Sequence, residues 1–216
     1  MAKRLRDNLQ EENGFPFLDN LFQNLMELIL VNILFVLCSV PIVTAGPAAI
    51  ALERVCCLIH RKEKVPVFRT FLRTFKRYFG RGLFLSIVLI PLFLISGLGV
   101  FLFYSEGLLW KMALCLLIFL LGSGLLQYLA PLISATDLPF EKQLKNSFLL
   151  LVLGAGRTIL GAVISLCLML LILWQPKMMV ALCFVILLAV HGFIRSYLGL
   201  QVAQKYIFDP YYHNHP

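Results

Sequence analysis

The chain has 216 residues, 60% of them apolar and 14% charged, with a formal net charge of +8 and a mean hydropathy of +0.88. This composition excludes an ordinary soluble domain, and continuous Leu-rich runs exclude a membrane β-barrel, whose strands alternate apolar and polar residues. The expected fold is all-α: a polytopic membrane helical bundle in a single membrane domain over residues 1–216, with about five transmembrane helices plus cytoplasmic interfacial amphipathic helices.

The first twenty residues mix three basic with four acidic side chains, and the apolar run behind them is longer than the core of a secretory signal. That run, 21–45, is read as a retained first span. It closes on the breaker-rich stretch "CSVPIVTAGPAA" at 38–49. Pro41 cannot donate to the carbonyl of Leu37, so the span should bend or loosen in its last turn. Gly46 is then read as the stop and Pro47 as the first position of a new helix, where its missing N–H has no partner to lose. This makes Pro41, Gly46 and Pro47 a structural joint.

The new helix, 47–62, has Glu53, Arg54, His60 and Arg61 on one face and is expected at the cytoplasmic interface, lying flat or re-entrant. A second interfacial helix follows at 66–81. At about 100° per residue its Phe68, Phe71, Leu72, Phe75 and Phe79 share one face, and Arg69, Arg73, Lys76 and Arg77 the other. Such segregation suits an interface-lying helix with aromatics toward acyl chains and cations toward anionic headgroups. A plain topology-setting flank or a partner-docking surface would use the same residues.

Further spans are expected at 82–104, 108–134, 158–174 and 178–200, with a third interfacial helix at 139–153. Spans one and two resemble spans three and four: "PIVTA" at 41–45 echoes "PLISA" at 131–135, and each is followed by a polar helix reaching a Gly-Arg pair, Gly80-Arg81 and Gly156-Arg157. Nine of the nineteen Lys and Arg residues fall between Arg54 and Arg81. Positive-inside bias explains them without nucleic acid, and it places that loop, the 135–146 loop and the C-terminus in the cytoplasm. Five spans then leave the N-terminus outside, although Lys3, Arg4 and Arg6 favour the inside, as a full crossing by 47–60 would arrange.

Polar groups inside apolar spans are costly and so are candidates for function. The candidates here are Asn32, Arg157, His191 and Arg195. Asn32, near the middle of its span, needs a partner within the bundle, most simply an interhelical hydrogen bond. Arg157 and Arg195 lie close enough to a span end to snorkel. His191 and Arg195, four apart on one face, suit either an anionic group or the cap of a span end. The six cysteines, in apolar surroundings without C-x-x-C spacing, read as small hydrophobes. Nucleotide-loop, zinc-protease and nucleophile-elbow patterns are missing, as are paired intramembrane carboxylates, so neither an enzyme nor a cofactor or metal is expected. His213 and His215 in the tail do not make a metal site by themselves.

The order "LILVNILFVLCSVPIVTAGPAAIAL", "FRTFLRTFKRYFGRG", "DLPFEKQLKNSFLLLVLGAGRTIL" resembles the YesL-type family of bacterial integral membrane proteins, a domain of unknown function, from about Leu18 to Leu200. Asn32, Pro41, Gly46 and Pro47 match its N-terminal signature, Phe71, Phe75 and Phe79 its aromatic helix, and Asn146 and Arg157 a later one. The resemblance implies a multi-pass protein of the bacterial cytoplasmic membrane, commonly encoded beside carbohydrate-uptake genes, and implies no reaction. The expected function is that of a non-enzymatic accessory or regulatory component linked to a sugar-uptake membrane complex. A small secondary transporter or channel is the alternative.

Overall fold

Helices form along the apolar runs, and the residues that interrupt them decide how the chain folds back. The structure, a computed structural model, describes residues 16–61, 65–136, 138–174 and 186–208. Among these residues every regular element is helical and no strand occurs. The elements are α1 (Pro16–Gln23), α2 (Leu25–Ser39), a 3₁₀ turn (Ile42–Thr44), α3 (Ala45–His60), α4 (Val67–Arg77), α5 (Phe79–Ser105), α6 (Leu109–Ala135), α7 (Phe140–Leu153), α8 (Ala155–Trp174) and α9 (Leu188–Ala203), with a π turn at Gln204–Phe208.

Two stretches are long and apolar enough to cross a membrane, Ile42–His60 and Leu109–Ser134; the α7–α8 pair, bent by 96°, makes a third if it counts as one span. Helices of this kind mark a membrane protein. The expected count of five spans is not confirmed among the described residues. At 15 residues, α2 rises only about 22 Å against a hydrocarbon core of about 30 Å. α5 runs as one helix of 27 residues from Phe79 to Ser105 with Pro91 inside it. The 158–174 span is one arm of the bent pair, and the first part of 178–200, up to 185, lies outside the described residues.

α5 and α6 form an antiparallel hairpin. Gly107 takes φ 71°, a left-handed geometry that glycine adopts without Cβ strain. The Leu108 N–H then reaches the Phe103 carbonyl at 2.9 Å and the Gly107 N–H the Tyr104 carbonyl at 3.2 Å, the paired closure that ends many helices. Along the hairpin Gly99 faces Cys115. Exposed Leu98, Leu102, Leu114, Leu117 and Leu121 give it an apolar exterior of the kind a bilayer covers.

The core is built around α3, which touches α2, α4, α5, α6 and α9. Of the Ile42–His60 stretch 56% is buried, against 17% of Leu109–Ser134, so α3 is the inner helix and α6 an outer one. α3 lies across the hairpin more than along it. Its start meets Gly82 and Ser86, Ile50 clusters with Leu85, Leu129 and Ile133, and Cys57 reaches Ser134. All of these belong to the end of the hairpin where α5 begins and α6 finishes.

α4 leads into α5, and α7 into α8, through single-residue breaks at Tyr78 (φ −106°, ψ 18°) and Gly154 (φ −97°, ψ 23°). Both polar helices have proline at the N-cap, Pro66 and Pro139. Both breaks fall two residues before the Gly-Arg pairs, so the two halves share a local geometry where the sequence echo runs. At the second break Thr158 Oγ1 donates to the Gly154 carbonyl (3.0 Å) and shares a hydrogen bond with the Tyr128 hydroxyl (2.9 Å). A bent helix in an apolar setting needs such side chains, since no water is at hand for its loosened carbonyls.

Candidate functional site

The joint is differently built from the expected stop and start. α2 ends at Ser39, and Pro41 is an exposed, extended residue at the head of the 3₁₀ turn. The Thr44 hydroxyl is shared between the Cys38 and Pro41 carbonyls, closing the turn. Gly46 and Pro47 both lie inside the first turn of α3, so Gly46 does not terminate a helix. A Cβ at Gly46 would run into the Gly82 carbonyl oxygen, and one at Gly82 would stand 2.5 Å from Pro47 Cα. These glycines bring α3 and α5 into backbone contact. The Gly46 N–H, unpartnered within its own helix because it is in the first turn, is taken by Ser86 Oγ at 2.7 Å.

α3, α6, α8 and α9 converge on a set of buried polar side chains. Glu53, expected on a polar face with Arg54, His60 and Arg61, is only 4% exposed. Its Oε2 has no hydrogen-bond partner. Arg195 is the cation whose field reaches Glu53, yet no direct ion pair joins them: Arg195 Nη2 donates to the Ser123 carbonyl at 3.2 Å and its Nε has no partner. Arg195 therefore turns inward to α6, contrary to the snorkelling expected of it. An ionised pair in a low-dielectric interior is costly even when well bonded, and these two are incompletely bonded.

One turn before Arg195, His191 Nε2 lies 2.9 Å from Ser165 Oγ on α8. A serine beside a histidine invites a nucleophile reading, but the Ser165 hydroxyl also faces the Gly161 carbonyl at 2.9 Å. The hydroxyl has one proton to give. With that proton on Gly161, His191 donates to Ser165, the reverse of what a general base does. The contact then serves as an interhelical bond between α8 and α9.

Asn32 is fully buried and its Oδ1 accepts the backbone N–H of Ala189 in the first turn of α9 at 2.8 Å. His60 Nε2 meets the Phe193 carbonyl at 2.9 Å, with the two rings stacked at 4.0 Å. Arg157 is exposed on α8, and only its backbone takes part in the interior, accepting from Gln127 Nε2 at 3.3 Å. Of the candidate polar residues, then, Asn32, His191 and Arg195 meet around α9 and the side chain of Arg157 stays outside.

α4 divides as its sequence predicts, but its inner face meets protein. Phe71 is fully buried in the cluster formed by α2, α3 and α9, with Leu72 and Phe75 packed against it. The expectation that this aromatic face enters acyl chains is thereby corrected for Phe71 and Phe75, whereas Phe68 and Phe79 are exposed. Arg69, Arg73, Lys76 and Arg77 are all exposed, and α4 carries no acidic residue.

Glu53, Ser165, Gln127 and Gln143 were not among the candidate residues. Gln127 and Gln143 are essentially buried; Gln143 Nε2 donates to the Thr136 carbonyl at 3.0 Å while its Oε1 accepts from Arg81 Nη1 at 3.3 Å. Gln127 was legible as the lone amide within "GLLQYLAP". The other three sit on helices that look amphipathic or ordinary until their neighbours are known. The tail histidines, His213 and His215, lie outside the described residues.

Residues 28–104, which run from α2 through α5, match a family model described as "Protein of unknown function, DUF624", the family to which YesL belongs. The match includes the joint, Asn32, Glu53 and the whole of α4, and leaves the second half of the chain outside it. No curated protein and no solved structure matches the chain.

Proposed function

We propose that this protein works without catalysing a reaction, as an accessory or regulatory component of a carbohydrate-uptake system in the bacterial cytoplasmic membrane, with its C-terminus on the cytoplasmic side. The observation that carries the reading is the division of α4. Its inner side is anchored on the protein's own core through Phe71, so the helix is held in place while Arg69, Arg73, Lys76 and Arg77 point outward. A fixed row of cations suits anionic headgroups and a docked partner better than it suits a reaction. The link to sugar uptake rests on the YesL-type resemblance alone. Photo-crosslinkers at Arg73 and Arg77 in native membranes should capture a subunit of a sugar-uptake complex, and deletion should lower sugar uptake. Capture of lipid alone together with unchanged uptake would reject the reading.

A second reading, a small secondary transporter, is favoured by the buried Glu53 and Arg195, because ionisable groups inside a helical bundle commonly mark a substrate or ion path. Proteoliposomes containing the purified chain should then pass a sugar or ion in a manner abolished by Glu53→Gln. Absence of any flux would remove this reading and leave the first standing.

A further inference from the structure

α3 and α9 pack together along a stretch that leaves two complementary polar atoms unbonded in the interior. A Cβ at Gly192 would run into Leu52 Cδ2, and His60 stacks on Phe193, so Glu53 lies beside the turn of α9 that carries Arg195. Glu53 Oε2 is a buried acceptor without a donor, and Arg195 Nε is a buried donor without an acceptor. Each charge lies within the field of the other, yet Arg195 is drawn toward α6, where its Nη2 donates to the Ser123 carbonyl at 3.2 Å. The two serine hydroxyls on the turns nearest Arg195 are already committed. Ser196 Oγ donates to the Phe193 carbonyl at 3.1 Å and Ser123 Oγ to the Leu120 carbonyl at 2.9 Å. A hydroxyl has one proton to give, so neither supplies the donor that Glu53 lacks.

We propose that Glu53 and Arg195 bracket an internal site for one neutral hydroxyl group, which accepts from Arg195 Nε and donates to Glu53 Oε2. The chemistry of the pair selects the ligand. An anion would suit Arg195 and be repelled by Glu53, and a metal cation would meet the reverse. A hydroxyl is uncharged and carries a donor and acceptors on a single oxygen, so one small group completes both side chains. Leaving such atoms unbonded in an apolar interior is costly, which is what binding there relieves. Water carries this group, and so does a small polyol. The inference deepens the transporter reading, on which the use of the site as a solute contact rests, by giving that reading a neutral, hydroxyl-bearing substrate.

Proton-detected NMR of the full chain in nanodiscs, with isotope-labelled arginine, tests the site. The Arg195 Nε–H is identified by its disappearance in Arg195→Met. In the wild type it should show a cross-peak to water, and added glycerol should replace that cross-peak with its own. In Glu53→Leu the hydroxyl loses one of its two partners, so the cross-peak should weaken by about fivefold, while the other arginine resonances report that the variant is folded. A wild-type Nε–H with no cross-peak to water or to glycerol would overturn the site, as would a cross-peak unchanged in folded Glu53→Leu. A water cross-peak that glycerol leaves untouched assigns the group to water and overturns its use as a solute contact. Glycerol entry into proteoliposomes, followed by light scattering, separates the site from the functional reading. Contact with glycerol but no flux rejects the transporter reading and keeps the site; flux without the contact rejects the site and keeps the reading.

Discussion

Asn32 and Ala189 lie 157 residues apart in the chain, and the Asn32 Oδ1 accepts the Ala189 backbone N–H at 2.8 Å. One amide in the middle of α2 thereby ties that helix to the first turn of α9. The neighbouring contacts around it are apolar: Leu28, Val31 and Leu34 pack with Ala189 and Phe193. Asn32→Ala should therefore lower stability by about 1–2 kcal/mol, the cost of a buried donor losing its acceptor. Leu30→Ala, at an exposed site on the same helix, should cost within about 0.5 kcal/mol. Thermal unfolding in detergent reads both, and equal effects would remove any special role for the amide.

The close approach of α3 to α5 makes a sharper forecast. A methyl group at Gly46 or Gly82 meets backbone atoms of the other helix, whereas one at Gly80 meets nothing within 4 Å. Gly46→Ala and Gly82→Ala should each destabilise by about 1–3 kcal/mol, as overpacking of a tight contact does. Gly80→Ala, in the same first turn of α5, should be neutral or stabilising by up to about 1 kcal/mol, since alanine favours helix. The three variants differ only in what the new carbon touches.

Glu53 and Arg195 should behave as a coupled pair. Each charge is felt by the other without a direct ion pair, so Glu53→Gln and Arg195→Met should each cost about 1–2 kcal/mol, less than the loss of one partner of a bonded buried pair. The double variant should lose less than the two single losses combined, by more than about 0.5 kcal/mol. A double-variant cycle measured by chemical unfolding checks this, and strict additivity would show that the two charges are separately compensated.

At Ser165 the arrangement of protons predicts chemical silence. With the hydroxyl proton directed to the Gly161 carbonyl and His191 donating, the serine oxygen is not activated as a nucleophile. A fluorophosphonate probe should leave the purified chain unlabelled. Labelling that disappears in Ser165→Ala would require the opposite tautomer and reopen an enzymatic reading.

The exposed row on α4 predicts salt-sensitive behaviour. In nanodiscs containing phosphatidylglycerol, the enrichment of that lipid around the protein should fall as salt rises, because exposed charges are screened within about 10 Å at 0.1 M. It should fall further in the Arg69→Gln/Arg73→Gln/Lys76→Gln variant. Enrichment independent of salt would point to apolar selection of acyl chains in place of headgroup recognition.

Much of this fold was legible residue by residue. The break after Ser39 follows from Pro41, the turn between α5 and α6 from the short gap between the apolar runs 82–104 and 108–134, and the two faces of α4 from the spacing of its phenylalanines and arginines. The need of Asn32 for a partner across the bundle followed from its place in an apolar run, and Ala189 meets it. The same reasoning misplaced Gly46, because a glycine that stops a helix and one that admits a neighbouring backbone look alike until the neighbour is known. It also sent Arg195 outward, and Phe71 and Phe75 of α4 into lipid.

Composition and local spacing by themselves determined that the chain is helical, apolar enough for a membrane, interrupted at Pro41, and basic along one segment. These properties depend on each residue's own backbone preference and on solvent, which act over a few positions. Only the tertiary structure decided that α3 is the inner helix, that Phe71 faces protein, that Glu53 and Arg195 approach without pairing, and that Arg81 is held by Gln143. Those outcomes depend on which surfaces meet across separations such as the 40 residues between Gly46 and Ser86 or the 62 between Arg81 and Gln143. Water, lipid and protein all accept an apolar face or sit beside a charged one, so the periodicity of a helix states that it has two faces and leaves open what each one touches.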